Sequence, residues 1–405
     1  MKKYFFYTFL ILLFFLVFGI SLLSVDHNNK FAKYIKDQTP SEIKVFLKKI
    51  IFFIPNTKRE IKQLEISLKK TVKKNELLIL ERDKFNNVLN SGKLKFENYN
   101  NEKYKFFSVI LPFNNELDLY SNKKSGYIEL YDKYIIVFFT SGKIIFLNKE
   151  DFFKGVFNFI TVESNFNDSV LFDQKLKWTG IKDIAVEGND VFVSVTEEIE
   201  TNCYNTSLYQ SKINKRLMDF KKIYIPDDCF NLDRKIEAFK YFNGYQTGGR
   251  IKVTKNKIYL TNGDYNTWEK VQDNESSAGK IIEFDRTSLK KKIISMGHRN
   301  PQGLYLNKDK NILISTEHGP KGGDEVNIIK LDQNLIQNFG WPISSYGNHY
   351  DSIPINSFTN EFAPLNKSHK NFNFIEPIKY FIKSIGISEI IANYNVNNSF
   401  FITSL

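Results

Sequence analysis

The sequence has very few cysteines, two among 405 residues. Cys203 and Cys229 lack the paired spacing of zinc ligands, so the pattern argues against a zinc site. In an oxidising compartment they could close one loop, which stabilises a fold by roughly 3 kcal/mol, and otherwise they remain two unpaired thiols. We predict the disulfide, because the N-terminus has the features of an export signal.

The chain also lacks any stripe of basic residues interleaved with aromatic residues. Its formal net charge is +12, yet the lysines and arginines are scattered and no nucleic-acid-binding motif occurs. Lys, Asn, Ile and Phe are abundant and Ala is scarce, which is typical of a genome-wide codon bias. The charge therefore indicates a diffusely solvated basic surface, and no nucleic-acid partner is expected.

One long hydrophobic run is present, from Tyr4 to Val25, and it follows Lys2 and Lys3. At the rise of an α-helix it reaches about 33 Å, enough to cross a bilayer. Neither a convincing cleavage site nor a lipobox cysteine follows it. We predict an uncleaved transmembrane signal-anchor over residues 1–25, with a cleaved signal peptide as the alternative. The flanking lysines would stay cytoplasmic, which predicts a single-pass inner-membrane protein whose remainder faces the periplasm.

Residues 26–100 are predicted to form a helical spacer. Thr39-Pro40-Ser41-Glu42 has the pattern of a capping box, and Pro55 ends the segment that follows it. A second helix is predicted from Thr57 to Leu89. Its apolar residues fit a heptad that is broken at three positions, so a coiled-coil stalk and a solvated spacer both remain open, and the spacer is slightly favoured.

From residue 101 to 405 the pattern is typical of β-structure. Short apolar or alternating runs are separated by turn pairs such as Gly188-Asn189 and Asn262-Gly263. The clearest runs are Tyr134 to Phe139, Lys143 to Phe146, Val191 to Val195, Lys257 to Leu260 and Ile312 to Ser315. Many short strands without intervening helical patterns predict an all-β barrel, sandwich or propeller, and the irregular repeat favours the propeller.

The richest stretch lies between Gly297 and Pro342. It contains GHRNPQGL, then EHGPKGGDEVNII, then FGWP, with short strand patterns between polar turns. Rigid strands that present polar loops are a common framework for functional sites. In this order and spacing, the three motifs resemble the glucose/sorbosone dehydrogenase family of soluble-type, pyrroloquinoline quinone-dependent aldose dehydrogenases. The resemblance is densest over Gly248 to Pro342 and fainter from about Lys105 onward. It implies a six-bladed β-propeller, whose last blade is incomplete in this chain, with quinone and calcium at one end of the channel.

The resemblance assigns roles to residues of these motifs. Arg299 and Asn300 would contact the reactive end of the quinone, where a guanidinium stabilises negative charge on oxygen, and Gln302 would support the same loop. The backbone carbonyls of Gly319 and Pro320 would hold the calcium, a hard cation that accepts oxygen ligands. Two further acidic residues are suited to a supporting or second calcium site, although such a pair is more often a solvated turn: Asp324 and Glu325.

The proton acceptor departs from the family pattern. The family has a histidine as general base in an H-x-x-G-R segment, whereas this chain has Gln246 in Gln246-Thr247-Gly248-Gly249-Arg250. Glutamine cannot accept a proton at ordinary pH. Asp264 matches an acidic residue near that histidine and is a candidate substitute base, so Gln246, Asp264 and Arg299 form the predicted catalytic set. Three histidines of other segments are expected to be structural: His298, His318 and His349.

The end of the chain is a second departure. Family members follow the segment that matches Phe400 to Leu405 with a lysine and an arginine pair that bind the quinone carboxylates, and they continue for most of another blade. A propeller without that blade would leave strand edges open, so we expect the sequence to be a truncated gene model or a fragment.

The leading hypothesis is a membrane-anchored enzyme that oxidises an aldose sugar to its lactone and passes electrons to a membrane acceptor. The alternative is a non-catalytic extracytoplasmic propeller that binds a glycan or a protein partner, which the Gln246 position favours. A purely structural coiled-coil envelope protein is a third hypothesis, and the polar loops argue against it.

Overall fold

The computed structural model describes eleven stretches of the chain, which are residues 62–73, 76, 96–100, 105–109, 126–139, 142–154, 156, 158–166, 179–231, 244–393 and 399–404. The chain divides into two compact units, residues 1–114 and 115–405. The predicted signal-anchor and the first predicted helix lie outside the described residues. Among the helices within them, none is both long and apolar enough to cross a membrane.

In the first unit, residues 62–73 form a helix with exposed side chains, within the range predicted as the second helix. An antiparallel hairpin follows, made of β1 (Phe96–Asn100) and β2 (Lys105–Val109). β-structure therefore starts inside the range 26–100 that we predicted as helical, since Phe and Tyr in this stretch favour extended backbone. The choice between coiled coil and solvated spacer stays open.

The second unit is strand-rich. Its strands are β3 (Gly126–Tyr131), β4 (Tyr134–Phe139), β5 (Ile144–Asn148), β6 (Phe159–Ser164), β7 (Gly180–Glu187), β8 (Asp190–Glu200), β9 (Cys203–Lys212), β10 (Leu217–Met218), β11 (Lys221–Tyr224), β12 (Phe230–Asn231), β13 (Gly248–Val253), β14 (Lys257–Asn262), β15 (Lys280–Asp285), β16 (Lys291–Met296), β17 (Pro301–Asn307), β18 (Ile312–Glu317), β19 (Asp324–Lys330), β20 (Gln337–Asn338), β21 (Lys379–Phe381), β22 (Ile387–Ala392) and β23 (Phe400–Ser404). The short helices among its described residues are Lys149–Phe153, Trp268–Val271 and Ser357–Phe362, with a 3₁₀ turn at Lys370–Phe372.

These strands form successive antiparallel sheets in chain order. β3 to β6 make the first sheet, which β10 extends in parallel. β7, β8, β9 and β11 make the second, in which β12 also pairs with β9, and β13 to β16 with β20 make the third. β17, β18, β19 and β21 make the fourth, and β22 pairs with β23. Because consecutive strands pair as neighbours, each sheet is a local meander, and the predicted all-β fold is confirmed.

The sheets pack face to face in sequence. The first strand of each sheet contacts the first strand of the next, from β3 through β7, β13 and β17 to β22. Apolar clusters fill each gap, such as Phe138 with Val193 and Leu260 with Phe192. Central strands such as β8 are buried along most of their length, because the second sheet lies between two neighbours and is covered on both faces. The arrangement is that of propeller blades around an axis, while the number six stays a prediction.

The disulfide that we predicted is confirmed, since Cys203 and Cys229 are bonded. It joins the first residue of β9 to the residue before β12. This bond fixes one end of the second sheet beside the loop that precedes β15.

Candidate functional site

Most of the predicted site residues lie on loops at one end of the third and fourth sheets, while Gln302 lies in β17 and Asp324 and Glu325 lie in β19. Gln246 precedes β13 and Asp264 follows β14, and these strands pair from Gly248 opposite Asn262. Arg299 precedes β17 and Gly319 follows β18, which pair from Pro301 opposite Glu317. The backbone N–H of Asp264 donates to the Arg299 carbonyl at 2.8 Å and joins the two loops. This bond joins two residues that are 35 positions apart in the sequence.

Glu317 holds the Arg299 loop in place by hydrogen bonds. Its Oε2 accepts from the Arg299 backbone N–H at 2.8 Å, and its Oε1 lies 2.9 Å from His298 Nδ1 and accepts from Asn327 at 2.6 Å. Burial by itself raises the pKa of Glu317, but the contacts with His298 and these donors bring that pKa below its usual value. His298 also bonds Ser295 through Nε2 at 2.8 Å. This buried histidine supports the loop, in keeping with the structural role expected for it.

The Arg299 side chain is buried, 8% exposed, and points across the site. Its Nη1 donates to the carbonyl of Gly319 at 2.6 Å and to that of His318 at 3.1 Å. The guanidinium lies over the Trp341 ring, 5.4 Å from its centre, which is a favourable cation–π geometry. Arg299 is thus a fixed positive charge at the end of the propeller-like fold.

Asp264 is fully buried beside this charge. Its Oδ2 accepts from the Trp341 indole N–H at 2.8 Å, and its Oδ1 accepts from the Asn266 backbone N–H at 2.9 Å. Burial raises the pKa of Asp264 to about 6, although the positive charge of Arg299 opposes that shift. A carboxyl group with this pKa is ionised at neutral pH yet close to its midpoint, which suits a proton acceptor.

Gln246 connects the two charged groups. In the amide orientation that satisfies both of its polar atoms, Nε2 donates to Asp264 Oδ1 at 2.8 Å and Oε1 accepts from Arg299 Nη2 at 3.1 Å. Asp264 is therefore bonded to Gln246, and its role as a substitute base stays a prediction. The amide holds the carboxylate and the guanidinium in one hydrogen-bonded row.

The backbone around this row is strained. Gln246, Tyr265 and Asn266 all have left-handed φ angles, between +50° and +59°. A Cβ at Gly263 would lie 2.0 Å from the Gln246 carbonyl oxygen, so only glycine fits between the loops. Such conformations persist where the surrounding structure enforces them, and they concentrate at functional sites.

Asn300 and Gln302 tie the Arg299 loop to β13. Asn300 Oδ1 accepts from the Gly248 backbone N–H at 3.2 Å, and the Gln302 carbonyl accepts from Arg250 Nε at 2.5 Å. Their predicted contact with a cofactor stays a prediction.

Asp324 and Glu325, which follow the Gly319 loop, accept hydrogen bonds from other groups of the protein. Asp324 accepts from the Gly319 and Ile385 N–H groups at 3.0 and 2.9 Å and from the Ser384 hydroxyl at 2.8 Å. Burial raises the pKa of Glu325, whose Oε1 lies 3.2 Å from His369 Nε2. Within the described stretches, no group of three or more acidic, histidine or cysteine side chains is placed to hold a metal. A metal role for this pair stays a prediction.

Several members of the site were not predicted from the sequence. Glu317 and Trp341 fall inside the motifs EHGP and FGWP, so their position in those motifs was the available signal. Asn266 and His369 had no comparable signal, since neither belongs to the motifs. His318 lies beside the site, and burial lowers the pKa of its imidazole. His349 Nε2 lies 2.8 Å from the Ala363 carbonyl oxygen, away from the row Asp264–Gln246–Arg299.

Known proteins resemble this chain in both sequence and structure. The family model for Glucose / Sorbosone dehydrogenase matches residues 130–405. Aldose sugar dehydrogenase YliI of Escherichia coli (strain K12) is 32% identical over 130 residues, which cover 29% of this chain and 34% of that protein. An uncharacterized protein of Synechocystis sp. is 33% identical over 97 residues, which cover 21% of this chain and 23% of that protein. The chain thus spans about a third or less of the curated relatives it matches.

Two solved structures share the fold. The soluble aldose sugar dehydrogenase of Escherichia coli in its apo-form superposes with a TM-score of 0.52 at 20% identity, covering 69% of this chain and 79% of that one. A structure described as glucose dehydrogenase has a TM-score of 0.52 at 20% identity and covers 70% and 83%. At this identity the likeness concerns the fold alone.

Proposed function

The chain belongs to the glucose/sorbosone dehydrogenase family, and from that premise we propose that it binds pyrroloquinoline quinone with calcium and oxidises an aldose sugar to its lactone. The observation that carries the proposal is the buried row Asp264–Gln246–Arg299, in which a carboxylate and a guanidinium lie on either side of one amide. A curated relative named aldose sugar dehydrogenase supports the same chemistry.

The donor set fits an oxygen-rich cofactor. Arg299 supplies a buried guanidinium, and Asn266 Nδ2 is a buried N–H group for which the described residues supply no hydrogen-bond partner. A buried donor without a partner is unfavourable, so an oxygen ligand at this point would stabilise the site. We propose that Arg299 and Asn300 hold the reactive end of the quinone.

The loop after β18 fits a hard cation. The carbonyl oxygens of His318 and Gly319 converge on one nitrogen of Arg299, so the loop already presents oxygen atoms to a positive charge. We propose that Gly319 and Pro320 hold calcium with their carbonyls, as the family pattern implies.

Arg299, Asp264 and Gln246 have separate roles in the proposed dehydrogenation. The quinone, when bound, supplies the two-electron acceptor. Arg299 stabilises negative charge that develops on an acceptor oxygen, because a fixed guanidinium in a buried site needs little reorganisation. Asp264 is the proposed acceptor of the sugar hydroxyl proton. Its Oδ1 is bonded to the Gln246 amide, so this amide must release Oδ1 before a hydroxyl can donate to it.

The test uses the full chain supplied with pyrroloquinoline quinone and calcium. Aldose-dependent dye reduction is expected, and Asp264→Asn should lower its rate by about 10²-fold or more while quinone binding persists. Arg299→Gln should weaken quinone binding itself. Quinone bound by the wild type without aldose-dependent reduction would support the second candidate function instead, and absence of quinone binding would refute the proposal.

That second candidate is a non-catalytic propeller that binds a glycan or a protein partner. The observation that favours it is the Gln246 amide, which occupies both Asp264 and Arg299 with hydrogen bonds. A glycan array probed with the full chain tests it, and binding that survives Arg299→Gln would favour this function.

We further propose that the protein is anchored in the inner membrane by residues 1–25, faces the periplasm and passes electrons to a membrane acceptor. The support is the apolar run after Lys2 and Lys3. Fractionation of cells that express the full chain, with protease added to spheroplasts, tests the location and orientation.

A further inference from the structure

Arg250 of β13 pairs with carboxylates from two other sheets. Its Nη1 lies 3.1 Å from Asp183 Oδ1 on β7 and 2.8 Å from Glu389 Oε2 on β22. The second oxygen of Asp183 accepts from the Ile251 backbone N–H at 2.9 Å. One guanidinium nitrogen therefore links the first strands of the second and fifth sheets to that of the third.

The same side chain also reaches the two remaining sheets. Its Nε donates to the Gln302 carbonyl on β17 at 2.5 Å. Its guanidinium carbon lies 5.4 Å from the centre of the Tyr127 ring on β3. Arg250 thus contacts the first strand of every other sheet in the unit among the described residues.

Arg250 and its neighbours also hydrogen-bond to residues of the candidate site. Besides the bond from Arg250 to Gln302, Thr261 Oγ1 accepts from the Arg250 backbone N–H at 2.9 Å and donates to the Pro301 carbonyl at 3.0 Å. Asn300 is held by Gly248. The three residues that follow Arg299 are therefore all bonded to β13 or to its partner strand.

We infer that Arg250 is a positioning residue, which sets the place of the Arg299 loop by tying the first strands of five sheets together. Its planar fork makes this possible, because it directs several donors in fixed directions, whereas a lysine offers one compact charge. The effect on a cofactor rests on the proposed function, but the tie between the sheets does not.

Arg286 provides a matched control. Its side chain is 16% exposed, against 14% for Arg250, and it pairs with Asp190 at 2.6 Å. It also lies over an aromatic ring, that of Phe192, at 5.0 Å. Arg286 differs in that its carboxylate partner belongs to one neighbouring sheet, away from the site loops.

The first experiment is amide hydrogen exchange on the full chain without cofactor. Arg250→Gln should raise exchange by about tenfold or more in peptides that cover β7, the start of β17, and β22, whereas Arg250→Lys should do so mainly at the start of β17. Arg286→Gln should raise exchange only around β8 and the β15–β16 turn. A rise confined to β13 in the Arg250 variants, or equal patterns for Arg250 and Arg286 variants, would overturn the inference.

The second experiment separates positioning from stability. Arg250→Lys retains a charge near Asp183 and Glu389, so its thermal midpoint should recover most of the loss that Arg250→Gln suffers. Its affinity for pyrroloquinoline quinone, measured by titration, should nevertheless stay about tenfold below that of the wild type. If Arg250→Lys recovered both the thermal midpoint and the affinity for the quinone, the role of Arg250 would be merely structural. If the wild type binds no quinone, the proposed function fails, and the exchange result still decides whether Arg250 ties the sheets.

Discussion

Trp341 donates its indole N–H to Asp264 Oδ2 at 2.8 Å, across 77 residues of sequence. The same ring carries the Arg299 guanidinium on its face. One aromatic residue from the FGWP motif therefore touches both charged groups of the candidate site. This bond stabilises the ionised form of Asp264, in opposition to burial.

Replacing Trp341 with Phe should raise the pKa of Asp264 further above about 6, because the indole bond is one of the contacts that lower it. The measurement is the carboxyl ¹³C chemical shift of Asp264 against pH. Trp268→Phe, in the same apolar cluster, is the control for a packing change. An unchanged pKa in Trp341→Phe would show that the indole does not hold the carboxylate.

Asp264 should make stability depend on pH in a defined direction. Its pKa is about 6 in the folded state and about 3.9 in the unfolded chain. Between about pH 4 and pH 6 the native state therefore keeps a proton on Asp264 that the unfolded chain has released. The contribution of Asp264 to the free energy of unfolding should thus be greatest below pH 4 and decline as the pH rises from 4 through 6. Relative to Asp264→Asn, the wild type should lose about 2 kcal/mol between pH 4 and pH 7.

Urea unfolding of the two proteins at several pH values measures that difference. Comparing the pair cancels the contributions of other titrating groups. A difference that is constant across this range would mean that Asp264 has an ordinary pKa.

Gln246→His should add a proton acceptor beside Asp264. Histidine tolerates the left-handed backbone of this position better than most residues, and Asp264 would hold its ring. With quinone and calcium supplied, aldose oxidation should increase by about 10²-fold or more. Gln246→Asn, which keeps an amide, is the control and should give no gain. An equal response of both variants would argue against a missing base.

Removal of the disulfide should affect stability and the site together. Cys203→Ser with Cys229→Ser should lower the free energy of unfolding by roughly 3 kcal/mol. The neighbouring Asp228 accepts from the Ser277 backbone N–H at 2.8 Å, which links the disulfide loop to the loop after Asp264. Hydrogen exchange should therefore rise around Ser277 as well as near the cysteines, and an unchanged unfolding midpoint would contradict the expectation.

Much of the strand pattern was predictable from local sequence. Tyr134 to Phe139 forms a strand with the predicted bounds, and Lys257 to Leu260 lies within β14. A run of apolar residues between turn residues is decided by neighbours in the chain, so the sequence carries it directly. The position of the helix-to-strand change was less accurate, because the aromatic-rich segment that becomes β1 carries little periodic signal.

The candidate site was predictable only in part. The motifs from Gly297 to Pro342 located Arg299 and Gly319, and the comparison with the H-x-x-G-R pattern located Gln246. Nothing local indicated that Gln246 joins Asp264 to Arg299, since that row depends on how two sheets place their loops. Spacing along the sequence likewise could not predict that Asp324 accepts hydrogen bonds from the Gly319 backbone N–H and the Ser384 hydroxyl.

The sequence by itself determined the all-β character of the described residues between 126 and 404, the family, and the absence of a histidine at position 246. These properties depend on residue type and on spacing along the chain. The tertiary structure alone decided that Trp341 faces Asp264 and that Arg250 bonds three other sheets. Such pairs form where separate sheets pack around an axis, and their geometry depends on all the side chains that fill the gaps between sheets.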